Sequence, residues 1–302
     1  MNPATRAPAP PAVRTDREPF ERLDWLLFSS VGLIWGSSFL LIAIGLEGIH
    51  PGTITFARVA LGAATLMALP AARRKIDRAD RRRVVALSFI WVAIPFTLFP
   101  LAEEHVNSAV TGLLNGATPI WTGIIGGLFF GRPSRGPQRM GLAVGFVGIA
   151  LVSFASSGQG ETALVGVLMV LAATFFYGIA TNLAGPLQHR YGSVPVMGKM
   201  LAWASLWTLP FGLYGMADST FDVRPSAAVL VLGAIGTGLP FALMATLVGR
   251  VGGPRAAFIT YLIPIVSLVL GVVFLADVVR PAAIVGVALV IGGAVLASRR
   301  EA

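Results

Sequence analysis

The sequence predicts an all-α integral membrane protein of ten transmembrane helices, arranged as two inverted five-helix repeats. Three observations carry the prediction: ten apolar runs of membrane-crossing length, basic residues concentrated in alternate connections, and an internal repeat at a spacing of 145 residues. Of the 302 residues, 55% are hydrophobic and only 12% are charged. A soluble domain of that composition lacks the polar surface to cover its core, so lipid must serve as part of its solvent.

A hydrocarbon layer about 30 Å thick takes roughly 20 helical residues to cross. Runs near that length occupy 25–46, 52–71, 84–102, 106–131, 139–156, 163–187, 195–215, 226–249, 255–276 and 281–298. Helices rather than strands follow, because a helix satisfies its own backbone hydrogen bonds in lipid. The connections are short, so consecutive spans are antiparallel neighbours. Residues 1–22, rich in Pro, Ala and Arg, read as a disordered cytoplasmic tail. The run that follows is too long for a signal-peptide core and reads as a retained first helix. The spans divide into a first repeat over 23–158 and a second, inverted repeat over 159–302.

The net charge of +9 invites a nucleic-acid partner until the basic residues are placed. Nineteen of the 23 lysines and arginines fall in the tail, in alternate connections and at the carboxyl end, with seven between Arg73 and Arg83. Only Arg224 and Arg280 lie on the other side, while Arg58 and Lys199 lie within spans. The positive-inside rule therefore predicts a multi-pass protein of the cytoplasmic (inner) membrane with both termini cytoplasmic. Topology alone explains the basic clusters, although Arg81-Arg82-Arg83 can also attract anionic lipid. The expected partners are thus the lipid bilayer and a small-molecule substrate, with no nucleic acid. There is no cysteine, and His50, His105 and His189 are scattered at loop ends, so no metal, cofactor or catalytic residue is expected. Gly198-Lys199 lacks the upstream loop of a phosphate-binding motif, which excludes ATP-driven transport within this chain.

Sliding the chain on itself by 145 residues pairs Pro95 with Pro240, Phe96 with Phe241, Pro119 with Pro264, Gly126 with Gly271, Gly141 with Gly286 and Gly148 with Gly293. A shift of 142 pairs Trp35-Gly36 with Tyr177-Gly178. Prolines and glycines carry backbone meaning, so these identities weigh more than leucines would. Each half holds an odd number of spans, so the second copy enters from the opposite side. Inverted repeats of this kind place a site at their interface and permit alternating access.

The string Leu33-Ile34-Trp35-Gly36-Ser37-Ser38-Phe39, then Phe56-Ala57-Arg58, then Pro119-Ile120 and Pro264-Ile265, each ahead of a Gly-rich helix pair, follow one another in a specific order. In that order and spacing the chain beyond its tail resembles the ten-helix, EamA-type members of the drug/metabolite transporter superfamily. The resemblance implies a carrier that exports amino acids or related metabolites, sometimes toxic cations, and is closest to bacterial amino-acid exporters. Many members carry an acid near the ends of helices four and nine. Here Asp277 fits the second half, whereas the symmetric residue is Arg132.

Thr111, Asn115, Thr118 and Thr122 fall on one face of the fourth span, and Asn115 maps onto Thr260 in the ninth. The sixth span adds Thr174, Tyr177 and Thr181, with Asn182 alongside; the first adds Ser37 and Ser38. One reading is a cavity whose hydroxyls and amides bind substrate between the aromatic walls of Trp35, Tyr177 and Tyr261. The other is hydrogen bonding between neighbouring helices, at about 0.6 kcal/mol each. Charges inside a membrane are functional candidates by default. Lys199 can meet a substrate carboxylate and Arg58 can pair with Glu103 or Glu104, although both lie near enough to a surface to snorkel.

All fourteen acids lie in the tail, a loop or a span end. The absence of a midplane carboxylate predicts facilitated diffusion, with proton-coupled antiport and a membrane channel as alternatives and a membrane enzyme disfavoured. Pro95, Pro119, Pro240 and Pro264 fall inside spans at symmetric depths and predict either gate hinges or fixed kinks. Gly141, Gly145 and the Gly-rich tenth span predict close helix packing, within a monomer or across a homodimer.

Overall fold

Ten membrane-crossing segments emerge from a computed structural model that describes residues 19–131, 136–157 and 163–298. They are α1 (Arg22–Leu46), α2 (Pro51–Ala68), α3 (Arg78–Glu103), α4 (Ser108–Asn115 and Thr118–Phe129) and α5 (Pro137–Ser157). The second half holds α6 (Ala163–Tyr191), α7 (Ser193–Met216), α8 (Val223–Val251), α9 (Gly253–Ala256 and Ile259–Leu275) and α10 (Pro281–Ser298). Four of them, α1, α3, α6 and α8, are long and apolar enough to cross a membrane as continuous helices. Among the described residues all regular structure is helical.

The first helix starts where its cap chemistry allows. Glu21 and Asp24 satisfy each other's backbone N–H groups, and Phe20, Trp25 and Phe28 gather around that turn. The description begins at Pro19, a few residues inside the segment read as a tail; residues 1–18 lie outside the described residues, as do Arg132, Arg135, Arg299 and Arg300.

Proline shapes the long helices, in two different ways. Ser88–Ala93 in α3 and Ala234–Gly238 in α8 are π-helical, and each ends two residues before its proline, Pro95 or Pro240. The Pro ring lacks an N–H and collides with the carbonyl four residues back. A wider turn resolves the collision: the Ile94 N–H reaches back to the Phe89 carbonyl, one residue further than in an α-helix. Pro119 is not inside a helix as the sequence reading has it. The fourth span breaks after Asn115, and Pro119 sits in the first turn of the following piece, where its missing N–H costs nothing. Of these four prolines, Pro264 alone stands within a regular helix, in the longer part of α9.

The two halves interleave. Helix α1 packs on α8 and α9, its counterpart α6 packs on α3 and α4, and α2 pairs with α7, α4 with α9 and α5 with α10. Small residues permit the closest approaches. A Cβ on Gly36 would overlap Val266, and one on Gly148 would lie 2.7 Å from the Val290 nitrogen. Gly145 likewise meets Ile120 and Gly293. Gly145, Gly148, Gly286 and Gly293 are filled within the chain by the α5–α10 contact, the close helix packing that these glycines predict.

Polar staples pin the ends of the helix pairs. On the face carrying the chain ends, Arg250 of α8 bridges Asp24 and Glu21 of α1. On the same face Arg190 and Tyr191 of α6 hold Asp77 and Asp80 at the start of α3. On the opposite face Arg224 reaches Glu47 at 2.9 Å, tying α8 to α1 again.

Candidate functional site

The polar stripe of α6 faces the interior, between the side that packs on α3 through Ala180, Ala184 and Leu187 and the side that packs on α4 through Gly178 and Asn182. Along that interior side Val170 and Thr174 are buried, Tyr177 is half-buried, and Thr181 and Gly185 are exposed. The fourth span repeats the gradient. Every residue of Ser108–Asn115 is buried, while the following piece is half-open, with only Ile120, Ile125 and Gly126 buried. The interior is thus shut toward the face opposite the chain ends and opens toward the face that carries them.

Aromatic rings form the shut end. Phe99 lies between Phe39 and Tyr177, with ring centres 5.5 and 5.9 Å away. Trp35 meets Phe241 edge-on at 5.6 Å, on the repeat-related side. Beyond the rings, Asp277 closes the α4–α9 seam: one of its carboxylate oxygens accepts from the Ser108 hydroxyl at 2.8 Å and the Ala109 N–H at 2.9 Å. An acid at a helix N-terminus satisfies an orphan donor and is favoured by the helix dipole. Asn107 adds a bond to the Val278 carbonyl, and Ser267 one to the Ser108 carbonyl. The 145-residue shift sets Arg132 opposite Asp277, and Gly253-Pro254 opposite Ser108-Ala109. Neither donor survives in that copy, since Gly has no hydroxyl and Pro no N–H.

Several predicted residues come together here, and several do not. Asn115 ends the first piece of α4, and its buried side-chain oxygen accepts no hydrogen bond. Thr118 follows at the break, its hydroxyl donating to the Asn115 carbonyl. Trp35 and Tyr177 are half-buried, against Phe241 and Phe99 respectively; Thr260 and Tyr261 are half-buried in the first turn of the longer α9 piece. Ser38 and Thr181 donate to carbonyls of their own helices, although Thr181 still faces the open interior. Asn182 bonds the Thr122 carbonyl across the α6–α4 contact and serves packing.

Arg58 does not snorkel. It is buried, its Nε donates to the Thr237 hydroxyl at 3.1 Å, and its guanidinium lies 4.0 Å from the centre of the Phe96 ring. Nor does Glu103 hydrogen-bond it: both Glu103 oxygens are buried and without a hydrogen-bond partner. The Glu103 carboxylate is within electrostatic reach of Asp277 and Arg58. Lys199 is remote from these groups. It lines a separate cavity of about 320 Å³ with Lys75, Ile76, Arg81, Val84 and Trp203, toward the face of the chain ends.

Sequence reasoning missed Glu103, Phe99, Phe96 and Thr237 as parts of the shut end. The paired positions Phe96 and Phe241 were the available signal for the aromatic layer, whereas nothing local in Glu103-Glu104 indicates that the first is buried.

A sequence model of the EamA-like transporter family matches residues 24–154 and again 164–299. A protein of Streptantibioticus cattleyicolor named as a probable terminal-alkyne amino-acid exporter is 29% identical over 282 residues, covering 91% of this chain and 93% of its own. A probable amino-acid metabolite efflux pump of Escherichia coli is 24% identical over 292 residues, 90% and 93%. An uncharacterized transporter of Bacillus subtilis, YdfC, is 24% identical over 264 residues, 86% of each. One crystal structure superposes with a TM-score of 0.62 at 19% identity, over 91% of this chain and 96% of that one. It shares the fold.

Proposed function

Because the chain belongs to the EamA-like transporter family, whose members are multi-pass membrane transporters and not enzymes, we propose that it exports amino acids or related small metabolites by alternating access. The observation that carries the reading is Asn115. Its buried, unpartnered oxygen stands at the break of α4, where the fully buried first piece gives way to a half-open second one. Broken helices at mid-depth free backbone and amide groups for a substrate, as in other carriers built from inverted repeats. The polar backbone of an amino acid suits such a floor, with Trp35 and Tyr177 as its walls. The names of the exporter and efflux relatives support the substrate class.

The moving units in this reading are mixed: α1 with α8 and α9, against α6 with α3 and α4. The staples favour that division, since Arg250–Asp24, Arg224–Glu47 and Arg190–Asp80 each lie within one unit. Asp277 bridges the two units, on the shut face alone. By the distribution of basic residues the open face is cytoplasmic, as expected of an exporter loading its cargo.

Coupling admits two readings. Among the described residues no acid stands at mid-depth, which supports facilitated diffusion. The buried, unpartnered carboxylate of Glu103 favours the second, proton-coupled exchange, because a carboxylate in that setting is costly unless its charge is compensated.

Counterflow in proteoliposomes tests the proposal. Labelled amino acids should accumulate against unlabelled internal substrate without an imposed proton gradient; uptake that does not saturate, or no counterflow across an amino-acid panel, would reject the carrier. Uptake that requires a proton gradient and is abolished by Glu103→Gln would decide for the second coupling.

A further inference from the structure

The cavity around Lys199 is unlike the central interior in chemistry and in place. Three of its six lining residues, Lys75, Arg81 and Lys199, are cations, and none is an acid. They converge from the α2–α3 connection, from α3 and from α7. Their positions are set: Lys199 Nζ donates to the Ala72 carbonyl, and Arg81 Nε to the Ile76 carbonyl, which fixes both side chains toward the same space. The neighbouring acids are occupied elsewhere, since Asp77 and Asp80 face Arg190, Tyr191 and Arg83. None of the three cavity cations has an acid within 4.0 Å among the described residues.

The other half of the lining is apolar. Val84 and Ile76 form a buried wall, and the exposed Trp203 ring stands beside them on α7. One helical turn further into the membrane, Trp207 donates to Ser88 and stacks edge-on with Phe89, both rings exposed on the same outer surface. Lys199 itself lies six residues into α7, about 9 Å from its start. The cavity therefore sits at the depth where a bilayer changes from headgroup to hydrocarbon, with charges on its polar side and indole on its apolar side.

We propose that this cavity binds the phosphate-bearing headgroup of an anionic phospholipid. The phosphate sits among Lys199, Arg81 and Lys75, and the glycerol and upper acyl chain lie along Val84 and Trp203. About 320 Å³ is within the range of small-ligand sites, and basic pockets between helices on the positive side of a membrane suit anionic headgroups. A free phosphate ion shares the headgroup's chemistry but leaves the apolar wall unused.

Native mass spectrometry of the purified full chain, titrated with dioctanoyl phosphatidylglycerol, dioctanoyl phosphatidylcholine or inorganic phosphate, separates the sources. Phosphatidylglycerol should bind and phosphatidylcholine and phosphate should not. Arg81→Gln and Lys199→Met should each weaken binding about fivefold. Lys199→Arg should restore it, and Arg82→Gln, whose side chain is outside the lining, should leave it unchanged. Equal binding of phosphatidylcholine, saturation by inorganic phosphate alone, or an Arg82→Gln effect as large as that of Arg81→Gln would overturn the site. If Lys199→Met is unstable, Arg81→Gln against Arg82→Gln carries the same test on residues that are exposed.

Discussion

Replacing Asp277 with alanine should shift the protein toward opening on its shut face. The carboxylate accepts two hydrogen bonds from the start of α4, and Asp277 is half-exposed. Bonds to a charged group in a buried site are worth about 1.5–3 kcal/mol each; discounting for solvent leaves about 1 kcal/mol apiece. Together, about 2 kcal/mol corresponds to a roughly thirtyfold change in the closed-to-open ratio of the gate. The chain has no cysteine, so one introduced thiol reports without background. Thr111→Cys is a suitable reporter, because Thr111 is fully buried one turn beyond Asn115 and is screened from both faces. Maleimide should label that thiol about thirty times faster in the Asp277→Ala background, and to an intermediate extent with Asp277→Asn, which keeps an acceptor without its charge. Equal labelling rates in all three backgrounds would refute the view that this carboxylate latches the gate.

Asn115→Ala should raise the amino-acid concentration needed for half-maximal counterflow about fivefold, the loss of about 1 kcal/mol for one hydrogen bond. Thermal stability in detergent should not fall in step, because the oxygen that is removed has no partner in the empty protein. Gly148→Val should destabilise the fold by at least about 2 kcal/mol, read as a lowered melting temperature, since its Cβ would meet the backbone of Gly286 and Val290.

The ten spans were legible because length and apolarity suffice for them, and the repeat was legible because prolines and glycines resist drift. The interruptions were not. A run such as 106–131 carries no charge to mark a break, and tertiary packing decides that Gly116-Ala117 interrupts it while the symmetric stretch in α9 stays helical around Pro264. Among the candidate residues, Asn115 and Thr118 were legible as neighbours because helical spacing alone puts them on one face of α4. Lys199 was misplaced for the opposite reason: depth along a helix is readable, but the direction in which a side chain leaves the bundle is not. Glu103 shows the same limit, since a position at a span end reads as wet until the neighbouring helices cover it.

The interleaving of the halves also constrains how the chain matures. The faces of α1 at Gly32 and Gly36 are covered by Leu262, Ile263 and Val266, more than two hundred residues later in synthesis. Five helices leaving the ribosome first cannot complete their own packing, and α1 must wait in the bilayer until α9 arrives. A truncation that removes the last two spans therefore strips the first helix of one of its two partners, and the defect at one end of the gene is felt at the other.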